Sequence, residues 1–236
     1  TAADRHAPRL AEMESRHGIH TAATQDAAAG ADTVVIVVKP QDAGEVLPLV
    51  GAAIRPGTLV VSLCAGLSTH QIEAAMPDGT AVVRVMPNTP AQVDEGMAAI
   101  SAGASATAAH LAHVTELLSA VGKVVTVPEK YQDAVTAISG SGPAYLFFVV
   151  EAMIDAGVML GLPRDISTTL VVQTMYGSAK LLADSGEHPT VLRERVTSPG
   201  GTTAAALREL EDHRVKAAFM TAMEAARDRS RALASS

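Results

Sequence analysis

The sequence predicts an α/β protein in two parts: a doubly wound α/β domain over residues 1–128 and an all-helical domain over residues 129–236. Three observations carry that reading. Uniformly apolar, β-branched runs such as Thr33-Val34-Val35-Ile36-Val37-Val38 alternate with helical segments, as strands covered on both faces by crossover helices do. Beyond Pro128 these runs stop, and helical segments follow one another to the end of the chain. Two turns rich in Gly, Ser and Thr, Ser139-Gly140-Ser141-Gly142-Pro143-Ala144-Tyr145 and Thr197-Ser198-Pro199-Gly200-Gly201-Thr202-Thr203, each lead into a strongly helical segment of the second part.

Taken in order, Thr1-Ala2-Ala3-Asp4-Arg5 reads as the end of a strand and Pro8 to Arg16 as a helix. Thr33 to Val38 is a buried strand, Gln41 to Ile54 a helix, and Thr58 to Leu63 the next buried strand. Ser68-Thr69-His70-Gln71 is a capping box that opens a short helix. Strands at Ala81 to Met86, Met97 to Ile100 and Lys123 to Val127 follow, the last after a helix over 105–121, and the alternation is that of a parallel sheet. Helices then fit 130–138, 143–160, 163–184, 189–196, 203–211 and 214–232, with Pro163 at a first helical position. Tyr145 to Leu162 approaches the length of a membrane span, but Glu151 and Asp155 lie within it, so it reads as the buried helix of a soluble protein. The Ala- and Met-rich last helix (Ala217, Ala218, Met220, Ala222, Met223) suits either close internal packing or a helix from another subunit.

Composition excludes several functions. A formal net charge of -7 with no long basic run argues against a nucleic-acid surface, and the absence of Trp with only three Tyr and three Phe argues against base stacking. The single cysteine, Cys64, permits no internal disulfide and points to a reducing compartment such as the cytoplasm. No membrane partner is expected.

In a doubly wound sheet, ligands bind beyond the carboxyl ends of the strands. Those ends are Val38-Lys39-Pro40, Leu63-Cys64-Ala65-Gly66 and Met86-Pro87-Asn88-Thr89-Pro90. Helix entrances like the two Gly-rich turns receive anions, because first-turn N–H groups and the helix dipole favour a carboxylate or phosphate. Together these features describe a dinucleotide along the strand ends and a small anionic substrate at its reactive tip. The G-x-G-x-x-G turn that opens such a domain is not among these residues. The expectation is that a first strand, glycine loop and helix, on the order of 30 residues, precede Thr1.

At these residues the chain resembles the pyrroline-5-carboxylate reductases, which reduce a cyclic imine to L-proline with NADPH, the last step of proline biosynthesis. Val38-Lys39-Pro40-Gln41, Arg84-Val85-Met86-Pro87-Asn88-Thr89-Pro90, Asp133 to Tyr145 and Thr197 to Thr203 are similar to family signatures, in order and at family-like spacing. The resemblance runs from about residue 1 to 232 and implies a Rossmann-type domain, here without its first strand-turn-helix unit, followed by a helical domain that forms a homodimer or a ring of dimers. It implies cofactor contacts at Val38, Lys39, Pro40, Cys64 and Ala65, with Asn88 near the nicotinamide. Gly201, Thr202 and Thr203 would bind the substrate, and Glu129 would help frame it. Thr24 stands in a cofactor-facing loop where the family often has Asn, a departure at one contact. Arg5 suits the 2′-phosphate of NADPH while Asp4 opposes it; the family's habit favours NADPH, and NADH is also admitted.

The chemistry follows from the residues. The Thr203 hydroxyl is assigned to the imine nitrogen and the N–H groups of Gly201 and Thr202 to the substrate carboxylate, so positioning carries most of the catalysis. The alternative for Thr202 and Thr203 is a helix cap. A hydroxyacid dehydrogenase would require a Lys or His base on the helix after the first glycine turn, and residues 143–160 contain neither. A binding or dimerisation protein is the non-enzymatic alternative. His110 and His113 lie one turn apart but lack further metal ligands in an evident pattern, Cys64 reads as a small buried side chain, and Glu187-His188-Pro189 either borders the site or begins a helix.

Overall fold

The computed structural model describes residues 1–234. Its first half contains α1 (Ala7–His17), α2 (Thr24–Ala29), β1 (Thr33–Ile36), α3 (Pro40–Gly51), β2 (Leu59–Ser62), α4 (Thr69–Glu73), β3 (Ala81–Met86), β4 (Gly96–Ala102), α5 (Ala108–Ser119) and β5 (Gly122–Thr126). The five strands form one sheet in the order β1-β2-β3-β4-β5. Residues successive along a strand feed opposite faces. Val60 and Val82 pack with Ile36 beneath Leu47 and Val50 of α3 and Ile72 of α4, whereas Val61, Val83, Val85 and Ile100 pack with Val114 of α5. Each fully buried valine contributes about 1.5–2 kcal/mol. Helices on both faces explain why these strands read as continuous apolar runs.

The sheet is mixed rather than parallel throughout. β1, β2 and β3 are parallel, β4 runs antiparallel to β3, and β5 is parallel to β4. The cause lies in the connection. A parallel crossover takes about a dozen residues or more, and Pro87–Glu95 holds only a 3₁₀ turn, Thr89–Val93, so the chain returns antiparallel. Thr1–Arg5 forms no strand; Ala2 makes an isolated parallel bridge with Thr21. Thr24, expected in a loop, is the first residue of α2.

After β5 come a 3₁₀ turn (Glu129–Tyr131), α6 (Gln132–Val135) and a π-turn (Thr136–Gly140), where one helix over 130–138 was expected. The π-turn arises because the Ser141 N–H donates to Thr136 O, five residues back, at 2.8 Å. These segments pack on the sheet. Gln132, fully buried, donates through Nε2 to Ala99 O (3.2 Å) and Ser101 Oγ (2.8 Å). Gly140 faces the end of β3 so closely that a Cβ would lie 2.6 Å from Met86 Cε. Compactness divides the chain into Thr1–Ser141, joined by the end of the last helix from Ala226 onward, and Gly142–Ala225.

The second unit holds α7 (Gly142–Met159), α8 (Arg164–Ser185), α9 (Pro189–Arg195), α10 (Thr202–Asp212) and most of α11 (Val215–Ala234). Pro163 is the N-cap of α8 rather than its first residue. α7 and α8 approach closely where Gly157 meets Ser167, whose hydroxyl donates to Ile154 O at 2.9 Å. α7 is not the buried helix that was expected, for none of its residues is buried and Phe147 and Phe148 are 68% and 71% exposed. Of the large apolar residues of this unit, Val171 is buried while Phe147, Phe148, Leu170 and Tyr176 are exposed. Glu129–Met159 has the length and apolarity to cross a membrane. Its exposed apolar face is equally that of a helix awaiting a protein partner.

Candidate functional site

Strand ends and their loops shape the first part of the site. Val38 is half-buried, Lys39 is the exposed N-cap of α3, and Pro40 is its first residue. They border a cleft of about 710 Å³ that also touches Thr24, Arg5 and Asp42. Arg5 reaches Asp42 by a two-pronged pair, Nη1 to Oδ1 at 2.9 Å and Nη2 to Oδ2 at 3.1 Å. The Arg5 side chain is 75% exposed, so this pair is weak and its guanidinium is available to a stronger anion. Cys64 is buried and does not line the cleft; its Sγ–H faces Val38 O at 3.2 Å and thereby ties the β2 end to the β1 end. Beside it Ala65 is half-buried, and Gly66 at φ 75° turns the backbone into α4. Asn88 uses its amide in two directions, Oδ1 accepting from Met97 N at 2.8 Å and Nδ2 donating to Ser139 O at 3.2 Å.

Glu129, in the turn after β5, contacts the start of α4 and strand β3. Its Oε1 accepts from Thr69 N at 2.7 Å and from Arg84 Nη1 at 3.1 Å, and its Oε2 accepts from Thr69 Oγ1 at 2.6 Å. Burial pushes this carboxyl up, but the hydroxyl, amide and guanidinium donors outweigh it and hold Glu129 below the usual carboxylate range. Arg84 and Thr69 were given no role from sequence. A signal existed for Arg84, a lone charge inside Ala-Val-Val-Arg-Val-Met, which requires a buried partner.

Within the helical unit, the second Gly-rich turn supplies an open helix entrance. Gly200 adopts φ 69°, a left-handed conformation that suits glycine. Gly201 is the N-cap of α10, so Thr202 and Thr203 are its first helical residues and neither is the cap. A Cβ on Gly201 would strike the Ser198 hydroxyl. The Gly201 N–H, expected to face a carboxylate, instead donates to Ser198 O at 3.0 Å. No backbone acceptor holds the N–H groups of Thr202 and Thr203 among the described residues, as first-turn geometry dictates. Nearby in sequence, Glu187 pairs with Arg195 at 2.7 Å, and His188 Nδ1 accepts from Thr190 N to cap α9.

Other candidates resolve into structure. His110 completes a capping box with Thr107, and His113 Nε2 lies 3.3 Å from Thr33 Oγ1. No cluster of metal-ligating residues occurs among the described residues.

A sheet with turning backbone and cations at its strand ends, in a chain that also carries an anion-receptive helix entrance, fits the class of dinucleotide-dependent oxidoreductases. Residues 1–66 match the family described as NADP oxidoreductase, coenzyme F420-dependent, and residues 129–233 match pyrroline-5-carboxylate reductase dimerisation. The pyrroline-5-carboxylate reductase of Synechocystis is 46% identical over 89% of this chain and 78% of its own length; that of Corynebacterium melassecola is 44% identical over 94% and 84%. Among solved structures, the Coxiella burnetii enzyme aligns with a TM-score of 0.91 at 33% identity, covering 98% of this chain and 87% of that one. The Plasmodium falciparum pyrroline carboxylate reductase, solved with NADP bound, aligns with a TM-score of 0.86 at 34% identity, covering 93% and 84%. The chain belongs to the pyrroline-5-carboxylate reductase family.

Proposed function

We propose that this protein reduces 1-pyrroline-5-carboxylate to L-proline with NADPH, NADH also being admitted, as the closing step of proline biosynthesis in the cytoplasm, and that it works as a homodimer. The observation that carries the reading is the α10 entrance, where two first-turn N–H groups without a backbone acceptor among the described residues and a half-buried Thr203 hydroxyl lie together after a tight glycine turn. NADPH supplies the hydride. The cleft volume falls in the range of small-molecule sites, and Arg5 and Lys39 are the cations on its wall that a phosphate would meet, beside Asp4, Asp42 and Glu45. Arg5, Thr24, Val38, Lys39, Pro40, Ala65 and Asn88 would hold the cofactor, with Cys64 fixing the loop from beneath.

The N–H groups of Thr202 and Thr203 receive the substrate carboxylate, Gly201 allows its close approach, and the Thr203 hydroxyl bonds the ring nitrogen. Glu129 frames the site indirectly, through Thr69 and Arg84. The domains are assigned as 1–128 for the cofactor and 129–236 for substrate and dimerisation. α7 contains neither Lys nor His, which disfavours a hydroxyacid dehydrogenase. The lone buried Cys64 suits a reducing cytoplasm. Thr203→Ala is expected to lower kcat about 100-fold with NADPH affinity unchanged, as measured by steady-state kinetics and NADPH titration. A variant of normal rate would remove Thr203 from the mechanism.

A further inference from the structure

We propose that Glu129 is a positioning residue whose carboxylate locks the loop after β2 to the end of β3 and so sets the shape of the strand ends that receive the cofactor. This rests on the reading that those loops hold NADPH.

The contacts form a continuous path across three successive strand ends. Cys64 Sγ–H is bonded to Val38 O, which joins the β1 end to the β2 end. The loop after β2, which carries Cys64, leads into α4, and at the first residue of that helix, Thr69, Glu129 takes both the backbone N–H and the hydroxyl. The same carboxylate takes Arg84 Nη1, two residues before β3 ends at Met86. Beyond Met86, Asn88 is fixed in turn by Met97 N and Ser139 O. Glu129 itself enters from the turn after β5, so one side chain joins segments that the chain leaves 60 and 45 residues apart.

Helix capping alone does not account for this arrangement. α4 already has a complete capping box, Ser68 accepting from Gln71 N while Gln71 accepts from Ser68 N. The bonds from Thr69 to Glu129 are additional to it. Nor is a buried ion pair the economical way to stabilise a strand, since apolar residues of similar volume do as well. What the Arg84–Glu129–Thr69 set supplies is a fixed distance between the loop of Cys64–Ser68 and the strand carrying Met86-Pro87-Asn88.

The test uses Glu129→Gln, Thr69→Val and Thr69→Ser in the enzyme expressed from its full coding sequence. Thr69→Val deletes one hydroxyl bond at constant shape and so guards against a Glu129 variant that fails to fold. NADPH dissociation constants come from cofactor fluorescence, amide hydrogen exchange is followed over residues 63–69, and kcat and KM are measured for both substrates. The expected result is an NADPH dissociation constant raised about tenfold in Glu129→Gln and Thr69→Val, with the KM for the imine within about twofold of normal. Exchange over residues 63–69 quickens in both, and Thr69→Ser restores both readouts. Unchanged NADPH affinity in both variants, or a rise confined to the KM for pyrroline-5-carboxylate, would overturn the proposal. A natural enzyme that binds NADPH but does not turn over this imine would sink the substrate assignment alone, because the clamp is read from NADPH binding and exchange.

Discussion

Arg84 is a charged side chain only 7% exposed on a central strand, tolerable there because Glu129 faces it. Glu129→Ala is expected to destabilise the protein by about 3 kcal/mol in urea unfolding, because a buried guanidinium is left without its counter-charge. Replacing both residues by methionine should restore much of that loss, since no buried charge then remains. The pH dependence follows from the lowered pKa of Glu129. A carboxyl whose folded value lies below its ordinary 4.5 contributes stability that is complete above that value and is lost as pH falls through the folded one. Thermal melting across the acid range should therefore fall less steeply for Glu129→Gln than for the natural protein. At this scale the sequence was half legible. Arg84 stands out within its strand, but its partner lies 45 residues away, a separation no local pattern encodes.

At the scale of elements, strands and helices were read from composition because each has a local cause: apolar β-branched runs, a capping box at Ser68, and glycine turns before α7 and α10. The parallel direction expected for every strand fails at β4, whose pattern is the same whichever way it runs. Its direction is decided by the short Pro87–Glu95 connection. α2 was missed because its six residues are too few to show a helical period. The entrance to α10 was read as anion-receptive, but the engagement of Gly201 N–H with Ser198 shifts the receptive donors one residue along. Gly200→Ala, at φ 69°, should cost about 1–2 kcal/mol of local strain and raise the KM for the imine while NADPH affinity holds. Steady-state kinetics with each substrate varied would show it.

For the molecule as a whole, the apolar helices of the second unit are the main fact. Phe147, Phe148, Leu170 and Tyr176 are exposed in the single chain, and the matching family region is one of dimerisation. Self-association is the physical resolution of such a surface. The sequence displayed the apolarity of Tyr145 to Leu162 but not its cover, because periodicity does not distinguish a face buried within a chain from one buried between chains. Phe147→Glu combined with Phe148→Glu is expected to give a folded but dissociated protein in light scattering. An unchanged mass would place the contact elsewhere. The central claim, imine reduction by a dinucleotide-dependent enzyme, is tested most directly by following NADPH absorbance with pyrroline-5-carboxylate while quantifying proline, using the protein expressed from its full coding sequence. One proline formed for each NADPH consumed is the predicted result; NADPH binding with no consumption and no proline would contradict it.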